Sequence, residues 1–428
     1  MNRYLIDELT VWKSAKNRKP LIIQGARQVG KTWLMKKFGE QEFKQVVYLN
    51  FESSNRLKNL FAIDFNIDRI LTVIEIETNQ KIIPETTLLI FDEIQEVEKG
   101  LTALKYFYEQ APHYYIIAAG SLLGVSLQKN NSFPVGKVDF LRLYPLSFME
   151  FLENSENINL ANQIKNNNWN VIESFHDKLV EQLRLYYFIG GMPEVVSNYI
   201  QNKDLKIVRE IKQKLLIGYE NDFAKYAPNE IVPKIKIVWK SLIGQLAKEN
   251  KKFIYGQLKK GARAKDFEMA INWLSEAGLV LKINRLEKPT IPLNAYADQD
   301  AFKLFLLDVG LLNAIGNLDH KILLEKNQIL TDFKGALTEQ FVCQQLIIKH
   351  ELYYWSSGNT AEVDFIIQNK NEVIPIEVKA EENLKSKSLK VFVEKYHNKN
   401  ALRTSMNKFR KEDWLTNIPL YAIAEIIK

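Results

Sequence analysis

The chain has 428 residues, too many for one ordinary hydrophobic core, which predicts two or three domains. With 46% hydrophobic and 25% charged residues, and no apolar run near the roughly 20 residues that span a bilayer, it is predicted to be globular and to stay out of membranes. A net charge of +7 permits an acidic polymer as partner, whereas a single cysteine, Cys343, excludes an internal disulfide and a cysteine-built zinc site, and five scattered histidines offer no metal-ligand spacing.

The N-terminal Met1-Asn2-Arg3-Tyr4 is followed by acids too early for a signal peptide, so a cytoplasmic location is expected. Leu21-Ile22-Ile23 reads as a buried strand, and Lys31 to Phe38 as a helix. Between them Gly25-Ala26-Arg27-Gln28-Val29-Gly30-Lys31-Thr32 satisfies the phosphate-loop pattern G-x-x-x-x-G-K-[ST] at every fixed position. In such a loop the backbone amides turn inward around the phosphates, and the helix N-terminus adds its positive end. Lys31 is expected to reach the outer phosphates of ATP and the Thr32 hydroxyl to hold magnesium.

Leu88-Leu89-Ile90-Phe91 is apolar throughout, as a central parallel strand covered on both faces must be, and it delivers Asp92 and Glu93 at its carboxyl end. Asp92 is expected to hold the magnesium through water, and Glu93 to polarise an attacking water. A plainer reading of the Asp-Glu pair is a helix cap with a first-turn acid. A third strand, Tyr114 to Ala119, ends in Gly120-Ser121, placing Ser121 at the same edge as a sensor of the terminal phosphate. A fourth, Val138 to Leu143, carries Arg142 into Tyr144-Pro145-Leu146-Ser147-Phe148.

The phosphate loop, Phe91-Asp92-Glu93-Ile94-Gln95, Gly120-Ser121 and Leu143 to Phe148 together resemble the signatures of prokaryotic AAA+-type ATPases, in which a C-terminal domain of undefined function follows the ATPase core. Gly190-Gly191-Met192-Pro193-Glu194 is similar to the sequence that opens that second part. The resemblance covers essentially the whole chain and implies ATP hydrolysis. It also implies a homo-oligomer in which an arginine of a neighbouring subunit completes the site. Arg142 is the candidate, with packing at the sheet edge as the alternative.

Glu153 to Asn170, rich in Asn and Glu, reads as a surface connection, which puts the end of the ATPase domain near residue 160 and a helical connection over 161–230. Helices from Val232 to Lys248 and from Ala264 to Ala277, then a strand from Leu279 to Ile283, give the order of a winged helix over 231–325. Lys259, Lys260, Arg263 and Lys265 would then be phosphate contacts at the start of its recognition helix. Asp266 and Glu268 are acidic and only Asn272 is an obvious adenine reader, so the expected nucleic-acid contact is not sequence-specific; a packing role is the alternative.

Over 326–428 the chain presents an apolar-periodic helix from Gly335 to Lys349, Tyr353 to Ser356, and the strands Ala361 to Ile367 and Val373 to Lys379 around a turn at Asn369-Lys370-Asn371. The period of two places Glu377 and Lys379 on one face, with Asp364 on the neighbouring strand. This resembles the PD-(D/E)xK nuclease pattern, with Asp364, Glu377 and Lys379 at its fixed positions and Glu339 matching the helix acid of many members. Val363 stands where the motif has proline. Asp364 and Glu377 would hold Mg²⁺ or Mn²⁺; an exposed Glu377–Lys379 ion pair on an edge strand is the alternative. From Lys379 to Lys411 ten Lys or Arg face three Glu, interleaved with Phe392, Tyr396 and Phe409, which suits either a phosphate-tracking surface or a solvated helix face.

The expected fold class is therefore α/β: a P-loop AAA+-type core, a helical and winged-helix middle, and a restriction-endonuclease-like C-terminal domain. The leading functional expectation is an ATPase acting on or recruited to DNA, with catalytic Glu93 in the first site and Asp364, Glu377, Lys379 and Glu339 in a second. A nucleotide-controlled switch, or an oligomeric remodelling ATPase that cuts nothing, is the alternative.

Overall fold

The computed structural model describes residues 1–54, 56–120, 134–248, 252–321, 331–358, 361–380 and 386–427, so Ser121 lies outside the described residues. The chain divides into two compact units: Asn2–Tyr144 with Glu276–Gly278, and a second that takes Pro145–Ser275 and Leu279–Lys428. This division falls at Tyr144.

In the N-terminal unit, α1 (Leu5–Ser14) precedes β1 (Leu21–Gln24), α2 (Lys31–Glu42), β2 (Gln45–Asn50), α3 (Ile67–Thr78), β3 (Thr87–Asp92), α4 (Gly100–Gln110), β4 (Tyr115–Ala119) and β5 (Asp139–Arg142). The strands form one sheet in the order β2-β3-β4-β1-β5, and every pairing is parallel. Every residue of β3 is buried, as its unbroken apolar run requires of a strand with helices on both faces. Phe91 packs against Phe51, Phe61 and Phe107 with ring centroids 5.7, 6.2 and 6.1 Å apart. The registers Asn50↔Asp92, Asp92↔Ala119, Ile23↔Ala119 and Gln24↔Arg142 bring the carboxyl ends of all five strands to one edge, where parallel sheets of this kind bind ligands.

The second unit begins with helices. Ser147 and Glu150 form a reciprocal capping box at the start of Phe148–Asn154. The expected surface connection is instead the helices Phe148–Asn154, Ile158–Lys165 and Trp169–Ser174, and Leu160, Ala161 and Ile164 are buried. Asparagine at 157, 162 and 166–168 dilutes the apolar spacing of this stretch, which is why composition suggested a loop. Longer helices follow at His176–Ile189, Pro193–Asn202, Leu205–Tyr226, Val232–Leu246 and Ala264–Glu276.

Beyond them lie β6 (Val280–Leu286), β7 (Ala297–Leu306), the helices Val309–Ile315 and Thr331–Leu346, β8 (Tyr353–Ser356), β9 (Glu362–Asn369), β10 (Glu372–Val378), the helix Lys387–Tyr396, β11 (Ala401–Ser405), β12 (Arg410–Lys411) and β13 (Leu415–Pro419). These strands form a single sheet in the order β12-β13-β11-β10-β9-β8-β6-β7. The parallel pairing of β6 with β8, Asn284↔Tyr353 to Leu286↔Trp355, carries the β6–β7 hairpin into the same sheet as the C-terminal strands.

Helix Thr331–Leu346 is buried on every side from Ala336 to Leu346, so its glutamines must find partners. Gln340 exchanges hydrogen bonds with the backbone of Leu306, Gln344 accepts from Val309 N, and Gln345 accepts from Phe148 N. Gln344 also donates to Asp308 Oδ2, which takes Gly191 N at 2.6 Å as well. Leu146 N donates to Gly191 O at 2.7 Å. Tyr144 to Phe148 and Gly190 to Glu194, conspicuous as sequence, thus meet as Leu146 and Gly191 in a buried polar network.

Candidate nucleotide-binding site and C-terminal carboxylate cluster

Between β1 and α2 the phosphate loop wraps the helix N-terminus, where Gly30 is the N-cap residue at φ 95°. Gly25 passes so close to β5 that a Cβ would lie 2.3 Å from Leu143 O, so no side chain fits there. Leu143 N in turn donates to Gln24 O at 2.8 Å. Arg3, itself buried, donates to Val29 O at 3.1 Å and Tyr144 O at 2.6 Å, bracing the loop from the N-terminal segment.

Lys31 is 6% exposed and donates to the carbonyls of Gly25 and Ala26, both at 2.8 Å. Burial pushes its ammonium pKa down to about 8; Glu93 and Asp92 oppose the shift and Arg27 adds to it. Arg27 lies 3.8 Å from Glu52. Gln28 has φ 64°, part of the loop's tight course.

Asp92, 3% exposed, gathers the acidic half of the site. Its Oδ2 accepts the Thr32 hydroxyl at 2.6 Å and the Tyr48 phenol at 2.9 Å, and its Oδ1 accepts Glu93 N at 3.1 Å. Burial and the Asp92 charge raise the Tyr48 pKa to about 12, so the phenol stays a donor. A hydroxyl and a carboxylate in contact are the hard oxygen pair that magnesium takes, so Thr32 and Asp92 fit the ion. Glu93 leaves the strand in the left-handed region at φ 52°, and its Oε2 accepts the Gln95 amide. Arg142 is exposed at the carboxyl end of β5.

In the C-terminal unit the register Ile376↔Phe365 sets Asp364 beside Glu377, and Asp364 Oδ2 accepts Val378 N at 2.8 Å. Glu377 is 4% exposed and its Oε1 pairs with Lys379 Nζ at 2.7 Å, so this is no exposed ion pair. Glu339 also belongs to the cluster, and so do two groups absent from the sequence-based set. Lys303, fully buried on β7, pairs with Glu362 and lies 3.7 Å from Glu339 Oε2.

A divalent metal does not fit these residues as they stand. The ammonium of Lys303 already lies among the carboxylates, and a backbone N–H takes Asp364 Oδ2. Among the described residues no group of three or more His, Cys, Asp or Glu is placed to hold a metal ion. The metal roles expected of Asp364 and Glu377 therefore find no support, and no cleavage step is derived through them.

The basic stretch separates into two kinds of residue. Arg403, 2% exposed, donates to Asn417 Oδ1 and Glu412 Oε1 at 3.0 Å each; Phe392 is core, and Phe409 stacks on Trp169 at 4.3 Å. Lys387, Lys390, Lys395, Lys399, Lys408, Arg410 and Lys411 are exposed, as are Lys259, Lys260, Arg263 and Lys265.

Sequence reasoning passed over Arg3, Tyr48 and Lys303. Lys303 left a signal: it is the one charge in the apolar run Ala301 to Leu307.

Residues 17–152 match a family described as AAA domain. The N-terminal unit is of the AAA type. Residues 180–321 and 334–423 match two families described as domains of unknown function, DUF8612 and DUF4143. Uncharacterised proteins of Mycobacterium tuberculosis and Mycobacterium bovis are each 32% identical over 80 residues, 18% of this chain and only 17% of their own length. Among solved structures, a Walker-type ATPase of Pyrococcus abyssi is similar at 14% identity and TM-score 0.45, over 74% of this chain and 95% of its own. The RuvB Holliday junction branch migration motor of Thermotoga maritima is similar at 14% identity and TM-score 0.32, over 66% and 89%. The ORC1 protein of Aeropyrum pernix in complex with DNA gives 10% identity and TM-score 0.28, over 73% and 90%. Among the described residues no helix is long and apolar enough to cross a membrane.

Proposed function

We propose that this chain is an ATPase that binds ATP in the loop Gly25 to Thr32 and hydrolyses it. The observation that carries the reading is the 2.6 Å hydrogen bond from Thr32 Oγ1 to Asp92 Oδ2, which joins the loop hydroxyl to the acid at the end of β3. Thr32 and Asp92 are the residues that would hold magnesium, which when bound offsets charge on the phosphate oxygens. Lys31 brings an ammonium to the outer phosphates from a buried position, where screening by water is weak. Glu93, turned off the strand and tied to Gln95, orients the attacking water and takes its proton.

Phosphate release by the full chain, with Mg²⁺ and with EDTA, in wild type and Asp92→Asn, tests this. Turnover is expected only in wild type with Mg²⁺. Equal release in all four arms overturns the reading.

The C-terminal unit is proposed to contact nucleic acid through phosphates without reading sequence, on the support of the exposed Lys259, Lys260, Arg263 and Lys265 and the exposed lysines of 387–411. Its affinity for duplexes is then expected to fall steeply with salt and to vary little with sequence; a flat salt response sinks the idea. The ion pairs of Lys303 favour the reading in which nucleotide turnover switches a surface that binds without cutting. A metal-dependent nuclease at Asp364, Glu377 and Lys379 is the competitor, and plasmid cleavage in Mg²⁺ or Mn²⁺ that Asp364→Ala abolishes would establish it. Exposed Arg142 is proposed to reach the site of a neighbouring copy. ATPase activity per subunit that rises with protein concentration and is lost in Arg142→Ala would support that role.

A further inference from the structure

A charge on an apolar strand must be neutralised where it is buried, and Lys303 is fully buried on β7. Its ammonium pairs with Glu362 of β9 and lies 3.7 Å from Glu339 of helix Thr331–Leu346 and 4.9 Å from the Tyr354 ring centroid. Burial alone would push the lysine pKa down; the charges of Glu339, Glu362 and Asp364 more than reverse this and hold it above the ordinary lysine value. Since β7 and β9 are not neighbours in the sheet, these ion pairs tie together elements that no backbone ladder joins.

We propose that Lys303 is the resident cation of the C-terminal carboxylate cluster, holding Glu339, Glu362 and Asp364 together where a divalent metal would otherwise be needed. Glu377 fits the same scheme, because Lys379 supplies its counter-charge at 2.7 Å. Two observations point the other way: among the described residues Glu377 Oε2 is buried without a hydrogen-bond partner, and Lys303 Nζ, though ion-paired with Glu362, makes no hydrogen bond of good geometry. Among the described ion pairs these carboxylates are served by the ammonium groups of Lys303 and Lys379, so a divalent ion is the natural rival, and the test sets the two kinds of cation against each other.

The probe is Mn²⁺, followed by the EPR signal of the free ion, in nucleotide-free full chain carrying Asp92→Asn to silence the N-terminal acid. In this parent, adding Asp364→Asn is expected to leave Mn²⁺ uptake unchanged. Lys303→Met in the same parent is expected to gain uptake of one Mn²⁺ that Asp364→Asn then removes. Its metal-free melting temperature should fall by roughly 5–15 °C and recover when Mn²⁺ is added. One Mn²⁺ per chain in the Lys303 parent, abolished by Asp364→Asn or Glu377→Gln, overturns the proposal. So does a folded Lys303→Met chain as stable as its parent. If Lys303→Met is not recovered folded, the comparison of the parent with its Asp364→Asn derivative decides alone.

Discussion

The Tyr48 phenol donates to Asp92 Oδ2 at 2.9 Å, on the same oxygen that accepts the Thr32 hydroxyl at 2.6 Å. The parallel register Tyr48↔Ile90 and Asn50↔Asp92 places the phenol two residues short of the strand ends, from where it reaches the carboxylate. Tyr48 is thus a positioning residue for Asp92. Tyr48→Phe removes one hydrogen bond to a charged group, worth about 1.5–3 kcal/mol at most. A loss of kcat/KM for ATP of up to roughly 10- to 150-fold is expected, with a weaker apparent affinity for Mg²⁺. Steady-state ATPase rates across a magnesium titration check it, and an unchanged magnesium response sinks the role.

Lys31 sets a pH dependence. With its pKa pushed down to about 8 by burial, the nucleotide-free protein loses that ammonium as pH rises through about 8. Because kcat/KM reports the free enzyme, it is expected to fall up to about tenfold per pH unit above that point. Bound phosphates restore the charge, so kcat should fall only at higher pH. Stability moves the opposite way: between about 8 and 10.5 the unfolded chain holds the proton that the folded chain has lost, so this group makes stability rise with pH. A kcat/KM profile flat from pH 7 to 10 would remove Lys31 from the argument.

Charge placement separates binding from chemistry. Lys31→Ala is expected to abolish ATP binding or weaken it severely, and Lys31→Arg to fail too, because a planar guanidinium does not fit between the Gly25 and Ala26 carbonyls that hold the ammonium at 2.8 Å. Glu93→Gln is expected to keep nucleotide binding while turnover falls by roughly 10²–10⁴-fold. Binding of a fluorescent ATP analogue beside phosphate release distinguishes them; equal rates in wild type and all three variants would end the assignment.

The sequence made the nucleotide site legible because a phosphate loop is local chemistry: eight consecutive residues and one strand end carry it. Its braces were hidden, since Arg3 and Tyr48 act on Val29 and Asp92 across 26 and 44 residues. Composition misread Glu153 to Asn170, where burial of Leu160, Ala161 and Ile164 overrides a run of asparagine. Counting charge could not tell the buried Arg403 from the exposed Lys399. The order Glu339, Asp364, Glu377, Lys379 was readable, but Lys303 enters the same cluster from a strand 36 residues before Glu339, and no spacing rule links them.

Gly191 offers the sharpest test of the buried network. A Cβ there would lie 2.1 Å from Leu146 O and 2.8 Å from Leu146 N, both backbone atoms that cannot swing aside. Gly191→Ala must therefore break the Leu146 N to Gly191 O bond and disturb Gly191 N on the buried Asp308 carboxylate. The cost is expected to be roughly 3–5 kcal/mol, at the severe end for a single methyl. Gly244, exposed on helix Val232–Leu246 with nothing within 4 Å of an added Cβ, is the control. Gly244→Ala is expected to stabilise by about 0.5–1 kcal/mol through helix propensity alone. Urea denaturation followed by far-UV circular dichroism measures both, and a Gly191→Ala midpoint equal to wild type would show that the backbone here gives way more easily than its hydrogen bonds imply.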